Sequence, residues 1–544
     1  MVLGYALNPW PSASATHIGV RVCESSQGLA MRRDGSDRNL RFAVALVEII
    51  VLAAWLTMGL APSAQALPSF ARQTGQPCGT CHTDFPALTP FGRRFKLLGY
   101  TVGGGLFRTT PFSSNAARDV QAEYDKLLKY AEPVKAPPPN ADENSKDWVP
   151  PISAMAIIGF THTQADQPSP QDPYNPNNNL VYSPFSMFWG GAITSNIGAF
   201  AQVTYNAPGS VAGPTPTTSP FLHTWTWDNT DVRFVGTANI GSLDFVYGIT
   251  ANNNPTVQDL WNTTPAWGFP YAVSSFFGPQ APGTVIEGTF AAHVGGVGAY
   301  TMINDLLYLE VTGYKTLGFS EQNALGTDPF GAPGLLGGVA PYWRVALEPH
   351  WDRHTLMIGT FGMYSEIHPW LNVAPVGWST AVDTLADKFT DIGFDGQYQY
   401  QGDNYWVTLR GTYIREFQRL DSTFTTLAAS TNPTNLLNTL KLQASVALGA
   451  DNRVVLTGQY FNVWGTADAG LYGTDSVTGL ALTPNSNGWI AEIAYIPFGV
   501  SKSFGWPWFN TRIGLQYIYY NKLNGTTVGA QDNNTLFLHA WVAF

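Results

Sequence analysis

"TLKLQASVAL" occupies residues 439–448. Successive side chains of a strand point to opposite faces. Leu440, Leu442, Ala444, Val446 and Leu448 therefore share one face, and Lys441, Gln443 and Ser445 the other. "YWVTLRGTY" (405–413) and "TRIGLQYIYY" (511–520) alternate in the same way. From about residue 150 to the end, runs of this kind recur between turn clusters, and no helical window matches them. Sixteen runs are predicted: 151–164, 180–194, 199–206, 222–238, 243–252, 285–302, 306–316, 340–350, 355–367, 388–401, 404–418, 437–450, 453–465, 487–498, 507–520 and 534–544. Seven connections between them are mostly short turns, and eight are long loops, such as 165–179, 253–284, 317–339 and 466–486. Strict alternation of short and long connections predicts an all-β transmembrane antiparallel barrel, with short turns facing the periplasm and long loops facing outward. An even strand number puts both termini on the periplasmic side.

Composition supports a sheet that meets lipid. Only 12% of the 544 residues are charged while 13% are aromatic, about half the charge usual in a soluble enzyme. A soluble sandwich also alternates, but its core is far smaller than this region, and no propeller-like repeat is visible. The last run, "NTLFLHAWVAF" (534–544), places Leu536, Leu538, Ala540, Val542 and Phe544 on one face. Its carboxy-terminal Phe resembles the signal that outer-membrane barrels present to their assembly machinery. A formal net charge of −10 argues against nucleic acid as a partner and suits a cationic substrate or a basic partner.

The amino terminus reads as an export leader, residues 1–66. Arg32, Arg33, Arg38 and Arg41 precede an apolar run at 42–60, and Ser63-Ala64-Gln65-Ala66 supplies a small-residue cleavage site. Met31 is an alternative start. An uncleaved anchor is the competing reading, and it leaves Cys78 on the same side of the inner membrane. Residues 67–107 then form a small helical unit. In "TPFGRRFKLLGY" (89–100), Thr89 can cap a helix, Pro90 fits its first turn and Gly99 can end it. Residues 108–149 hold a second predicted helix (115–131) and a Pro-rich linker. The barrel spans 150–544.

The small unit carries the chemistry. "GQPCGTCHTDFP" (75–86) contains Cys78-x-x-Cys81-His82, and the third cysteine of the chain, Cys23, lies in the leader. Cys-x-x-Cys-His is the attachment sequence of c-type haem. Two thiols on about one helical turn reach the two vinyl groups of one porphyrin, and the next residue carries an imidazole to the iron. A closed zinc site needs four ligands, and no second Cys pair exists. A thioredoxin-like motif needs a βαβ context that is absent. The predicted cofactor is one haem c, with Cys78 and Cys81 as thioethers and His82 as axial ligand. The rest of the unit holds no Met or second His, so either the iron is five-coordinate or weakly ligated, or the barrel donates a ligand. Strand phasing points to His293, beside Glu287 on one face, and to His539; Met155, Met187, Met357 and His162 are weaker candidates. Arg72, Arg93, Arg94 and Lys96 are candidate partners for the haem propionates, or else an ordinary solvated basic helix face. Phasing also aims Arg344, Glu348, Asp391, Asp395, Arg410, Lys441, Gln459 and Arg512 at the lumen, as expected of a polar pore. The loop at 253–284, rich in Trp, Phe and Pro, is long enough to fold inward and narrow that pore.

"PSFARQTGQPCGTCHTDFPALTPFGRRFKLLGY" (68–100), followed by sixteen strand-like runs, resembles the fused monohaem cytochrome c–porins of bacterial outer membranes. Iron-oxidising outer-membrane cytochromes are among them. Weaker similarity continues in "DNTDVRF" (228–234) and "NNNPTVQDLWNTTPAWGFPY" (252–271). The resemblance implies a haem held at or within a barrel in outer-membrane lipid. It implies electrons passing from an extracellular donor, Fe(II) in the iron oxidisers, to a periplasmic c-type cytochrome, hence a ferrous-iron oxidase activity. The alternative is an outer-membrane porin or transport channel whose haem segment is a plug or redox gate.

Overall fold

The computed structural model describes residues 68–101, 151–167, 175–205, 225–274, 277–278, 280–371, 381–475, 478–501 and 505–544. The predicted leader (1–66) with Cys23, the helix at 115–131 and the Pro-rich linker lie outside the described residues.

Five short elements come first: α1 (Pro68–Thr74), α2 (Cys78–Cys81), β1 (His82–Asp84), β2 (Ala87–Leu88) and α3 (Pro90–Leu97). One large sheet follows. Its strands are β3 (Ile152–Thr163), β4 (Asn179–Ala192), β5 (Ile197–Tyr205), β6 (Trp225–Ile240), β7 (Leu243–Asn252), β8 (Val294–Ile303) and β9 (Leu307–Thr316). Then come β10 (Gly334–Leu336), β11 (Ala340–Leu347), β12 (His350–Trp351), β13 (His354–Pro369), β14 (Asp387–Gln401) and β15 (Tyr405–Arg419). The last are β16 (Thr434–Leu448), β17 (Val454–Gly465), β18 (Ser486–Tyr495), β19 (Asn510–Lys522) and β20 (Thr535–Ala543). Each strand pairs antiparallel with its neighbours. The short β10 and β12 run along β13 above and below β11, so the three make one interrupted strand. β20 pairs back onto β3, from Thr535 opposite Thr163 to Ala543 opposite Met155. The sheet therefore closes into a barrel of sixteen strand positions, which leaves no free edge.

The wall follows the predicted phasing. On β16, Leu442, Ala444 and Leu448 are exposed outward while Gln443, Ser445 and Ala447 are buried inside. Around the barrel this inverts the usual distribution: Val311 and Ile358 are 63% and 62% exposed, whereas Arg344, Arg512 and Gln202 are 0% exposed. Such an exterior is stable in hydrocarbon, where a closed barrel satisfies every backbone polar group internally. Trp351, Tyr405, Tyr495 and Phe544 are exposed at the short-turn end, where interfacial aromatics belong. Short connections such as 193–196, 241–242, 304–306 and 402–404 share that end with the carboxy terminus. Asn304 and Asp305 both have positive φ (51° and 54°) at the centre of the turn that the Leu306 N–H closes onto the Ile303 carbonyl at 3.0 Å.

One boundary differs from expectation. The run 285–302 is a strand only from Val294 onward. Residues 285–293 form turns, with Gly288 at φ 104° and Ala292 at φ 64°. The Glu287 carboxylate accepts from the Thr284 N–H at 2.9 Å, closing one of them. The inward loop is thus longer than predicted, spanning 253–293.

Among the described residues, two segments fill the lumen. The first is residues 68–101, a plug nearer the short-turn end. Helix α3 has the predicted boundaries: Thr89 accepts from the Gly92 N–H at 3.1 Å, Pro90 begins the first turn and Gly99 sits at φ 65°. Phe91, Phe95 and Leu98 join Phe85 and Tyr100 in one buried cluster. The basic face is not solvated: Arg93, Arg94 and Lys96 are all buried, because the surroundings are a polar lumen rather than water. The second segment is the inward loop, whose Leu260 and Trp261 are fully buried.

Candidate functional site

α2 places Cys78 and Cys81 on a single helical turn, with His82 at its C-cap. Its backbone is held on two sides. The Gly79 N–H donates to the Val500 carbonyl at 2.8 Å, and a Cβ at Gly79 would lie 2.8 Å from a Val500 methyl. Behind the turn, α3 approaches so closely that a Cβ at Gly92 would lie 2.2 Å from the Cys81 oxygen. The Thr89 N–H donates to that oxygen at 2.9 Å.

Neither Cys78 nor Cys81 is in a disulfide among the described residues. Burial, reinforced by the neighbouring Cys78, pushes the Cys81 thiol up to about 12. Burial pushes His82 down to about 4, outweighing nearby backbone carbonyls, so the imidazole is neutral at ordinary pH. Its Nδ1 is buried with no hydrogen-bond partner. A neutral imidazole is the form that ligates a metal.

Two cavities meet at His82, Pro86, Phe200, Asn262 and Trp267. One, beside the thiols, is walled by Phe70, Phe95, Tyr100 and Val257 and encloses about 880 Å³ of empty space including its open side. The other lies between the plug and the inward loop, walled by Phe85, Met155, Phe188, Tyr271, Arg410 and Lys441, with about 1510 Å³ on the same measure. Two thiols outside any disulfide, a neutral imidazole with an orphaned nitrogen, and apolar space beside them fit a c-type haem.

The structure places the other predicted residues as follows. His293 contacts Gln322, Nδ1 to Oε1 at 2.9 Å, and lines neither cavity. Its predicted phase assumed a strand where the chain turns. His539 does face inward on β20, stacked on Phe537 at 5.1 Å, but it too lines neither cavity. Met155, on the inward face of β3, shares a cavity with His82. Met357 packs in the cluster of Trp261 and Tyr308, and His162 contacts Asn178.

The basic residues have protein partners. Arg72 donates to the Ile152 carbonyl and lies 4.4 Å from the centre of the Trp508 ring. Arg93 donates to Glu348 at 2.8 Å and to Gln399 at 2.5 Å. Arg94 pairs with Glu348 at 3.2 Å and donates to the Asp305 carbonyl at 2.9 Å. Lys96 donates to the carbonyls of Val257 and Asp259, both at 2.7 Å, and it lines the cavity beside the thiols. Burial pushes its ammonium down to about 8. The eight residues aimed at the lumen by phasing are inside the barrel, Lys441 reaching Glu287 of the inward loop at 2.7 Å. Two contributions were not legible in advance. Asp84, two residues past His82, pairs with Arg512 at 2.8 Å, and Tyr271 reaches Arg410 at 2.8 Å. Nothing in spacing or period marks either pair, since each joins distant parts of the chain.

No family model and no curated protein matches the chain. Among solved structures it is similar to OmpT, an outer membrane protein of Vibrio cholerae, at 11% identity over 72% of this chain and 96% of that one, with a TM-score of 0.37. It is similar to Pseudomonas putida OprB at 12% identity over 72% and 93%, with a TM-score of 0.42. An anion-selective porin from Comamonas acidovorans aligns at 10% identity over 72% and 98%, with a TM-score of 0.36.

Proposed function

We propose that this chain is an outer-membrane electron-transfer protein. In this reading one haem c is held by Cys78, Cys81 and His82 inside the barrel. Electrons pass from an extracellular donor, Fe(II) being the first to test, to a soluble periplasmic cytochrome. The observation that carries the reading is the Cys-x-x-Cys-His turn inside the lumen, with neither thiol in a disulfide and His82 neutral at the meeting point of two largely apolar cavities. When bound there, haem supplies one-electron redox chemistry at iron. The chain's own part is to hold and shelter it. Cys78 and Cys81 anchor it, and His82 presents an unprotonated nitrogen. Phe85, Phe188 and Trp267 keep the cavity walls apolar, and Met155 is the remaining soft donor. A membrane core of about 30 Å is too thick for one haem at a surface to serve both sides. A site within the lumen shortens both paths.

A second reading has its own support. The wall is a sixteen-position barrel with a polar interior, the architecture of a diffusion channel. In that reading the plug is a gate and the protein is a transporter.

One experiment separates the two. Full-length protein in liposomes enclosing a soluble cytochrome is given Fe(II) outside, and the haem absorbance is followed. Reduction of the haem and then of the enclosed cytochrome, lost in Cys78→Ala, is expected. Solute passage with a haem that no donor reduces overturns electron transfer in favour of the channel.

A further inference from the structure

Among the described residues, six arginines are buried in the lumen: Arg93, Arg94, Arg233, Arg344, Arg410 and Arg512. Five of them sit on a carboxylate. Arg93 and Arg94 share Glu348, Arg233 pairs with Asp231 at 2.8 Å, Arg344 with Asp395 at 2.5 Å, and Arg512 with Asp84 at 2.8 Å. Arg410 differs. It projects from the inward face of β15, is 7% exposed, and has no carboxylate at ion-pair distance among the described residues. Its Nε donates to Gln397 Oε1 at 2.6 Å and its Nη1 to the Tyr271 hydroxyl at 2.8 Å. Its Nη2 is buried with no hydrogen-bond partner. The same side chain lines the cavity that His82 opens into. The other cation on that wall, Lys441, is already matched by Glu287.

A guanidinium taken from water without a counter-charge is costly, and the cost is removed by an anion that accepts its free N–H. Two neutral acceptors fix the orientation of Arg410 without neutralising it. The missing group is therefore a carboxylate, whose two oxygens suit the forked donor. The neighbouring wall is aromatic, from Phe85, Phe188 and Trp267, so the carboxylate belongs to a largely apolar body. We propose that Arg410 is the carboxylate-binding residue of this cavity and that it takes a propionate of the haem. This rests on the haem reading above.

The test uses full-length protein. A haem stain of the denatured chain first establishes covalent haem, and a heat-dependent shift in electrophoretic mobility establishes a folded barrel. Resonance Raman spectra then compare the propionate bending band in the wild type, Arg410→Gln, Arg410→Lys and Tyr271→Phe. The expected result is a band shifted in Arg410→Gln and largely restored in Arg410→Lys. A smaller shift of the same sign is expected in Tyr271→Phe, which folds more readily and keeps the charge. Carbon-13 succinate, read by its infrared carboxylate stretch, is expected not to bind the loaded wild type. An unchanged propionate band in folded, haem-loaded Arg410→Gln and Tyr271→Phe overturns the proposal. Succinate binding that depends on Arg410 overturns it in favour of a free organic acid. A wild type without covalent haem removes the haem reading, and the proposal with it.

Discussion

The plug and the inward loop occupy the same lumen but are held in different ways. The plug brings charge. Arg93 and Arg94 meet Glu348, Asp84 meets Arg512, and the Tyr100 hydroxyl donates to Asp231 at 2.9 Å. The loop has two ion pairs of its own, Glu287 with Lys441 at 2.7 Å and Asp259 with Arg344 at 3.5 Å, and is otherwise held mostly through neutral donors or acceptors. Thr412 donates to the Thr263 carbonyl at 2.6 Å, Gln516 to the Ala272 carbonyl at 3.0 Å, and Thr161 to Ser274 at 2.7 Å. The two segments converge on Glu348, where the Trp261 indole N–H donates at 2.7 Å beside the two plug arginines. The difference follows from connectivity. The loop is tethered to adjacent strands at both ends, whereas the plug joins the barrel only through its following chain. Full charge pairs suit a segment that must find its seat, because removing either partner leaves an uncompensated buried ion.

Four measurements test this contrast. The largest effect is expected from Arg512→Gln, which leaves Asp84 and Glu492 facing each other without the guanidinium between them. The plug should lose about 3–5 kcal/mol of docking stability, read as faster hydrogen exchange over residues 68–101 while the loop at 253–293 changes little. Equal loosening of both segments would break the comparison. Next is Trp261→Phe, which removes the loop's hydrogen bond to the Glu348 carboxylate. Hydrogen bonds to charged groups are worth about 1.5–3 kcal/mol, so the urea midpoint should fall, with exchange rising first in the loop.

The third is a pH dependence. Burial lowers Lys96 to about 8, while in the unfolded chain it keeps its proton up to its ordinary value of 10.5. Between these values the unfolded state binds more protons, so stability rises with pH. The gain from pH 8 to 9 should be about 1 kcal/mol, and urea titrations of Lys96→Met should lose that rise. The smallest effect is expected from Thr412→Val, which deletes one neutral wall-to-loop bond. A cost of about 0.5–1 kcal/mol is expected. A cost as large as that of Arg512→Gln would show that neutral contacts hold the loop as firmly as charge holds the plug.

Much of this molecule was legible before its fold was known. Alternation at Leu442–Gln443 and its counterparts located all sixteen strand positions, because a wall between lipid and a polar lumen admits only one phase. Thr89, Pro90 and Gly99 bounded α3 for purely local reasons. Legibility failed where a local rule assumed the wrong surroundings. The basic face of α3 looked ready for water or for propionates, yet inside a barrel a charged face meets the wall, and Arg93 and Arg94 bind Glu348. Residues 285–293 look like strand, a phase that turns His293 into the lumen beside Glu287. The chain turns there instead: Thr284 bonds Glu287 locally, Lys441 holds Glu287 from across the barrel, and the Ala292 N–H donates to the distant Asn253 carbonyl.

The sequence by itself determined the alternating wall, the short-turn and long-loop ends, the capped helix of the plug and the thiol–thiol–imidazole triplet. Each follows from residues within a few positions of one another, where backbone geometry alone sets which side chains share a face. The tertiary structure decided which residues stand around that triplet. Closure of β20 onto β3 brings Met155 to the cavity of His82, and the folding-in of residues 253–293 sets Tyr271 against Arg410. His293 and His539, no less plausible on strand phasing, are left outside it. The reason is physical: strand phase gives the side of the wall a residue faces, but only closure and loop packing give its depth and its neighbours.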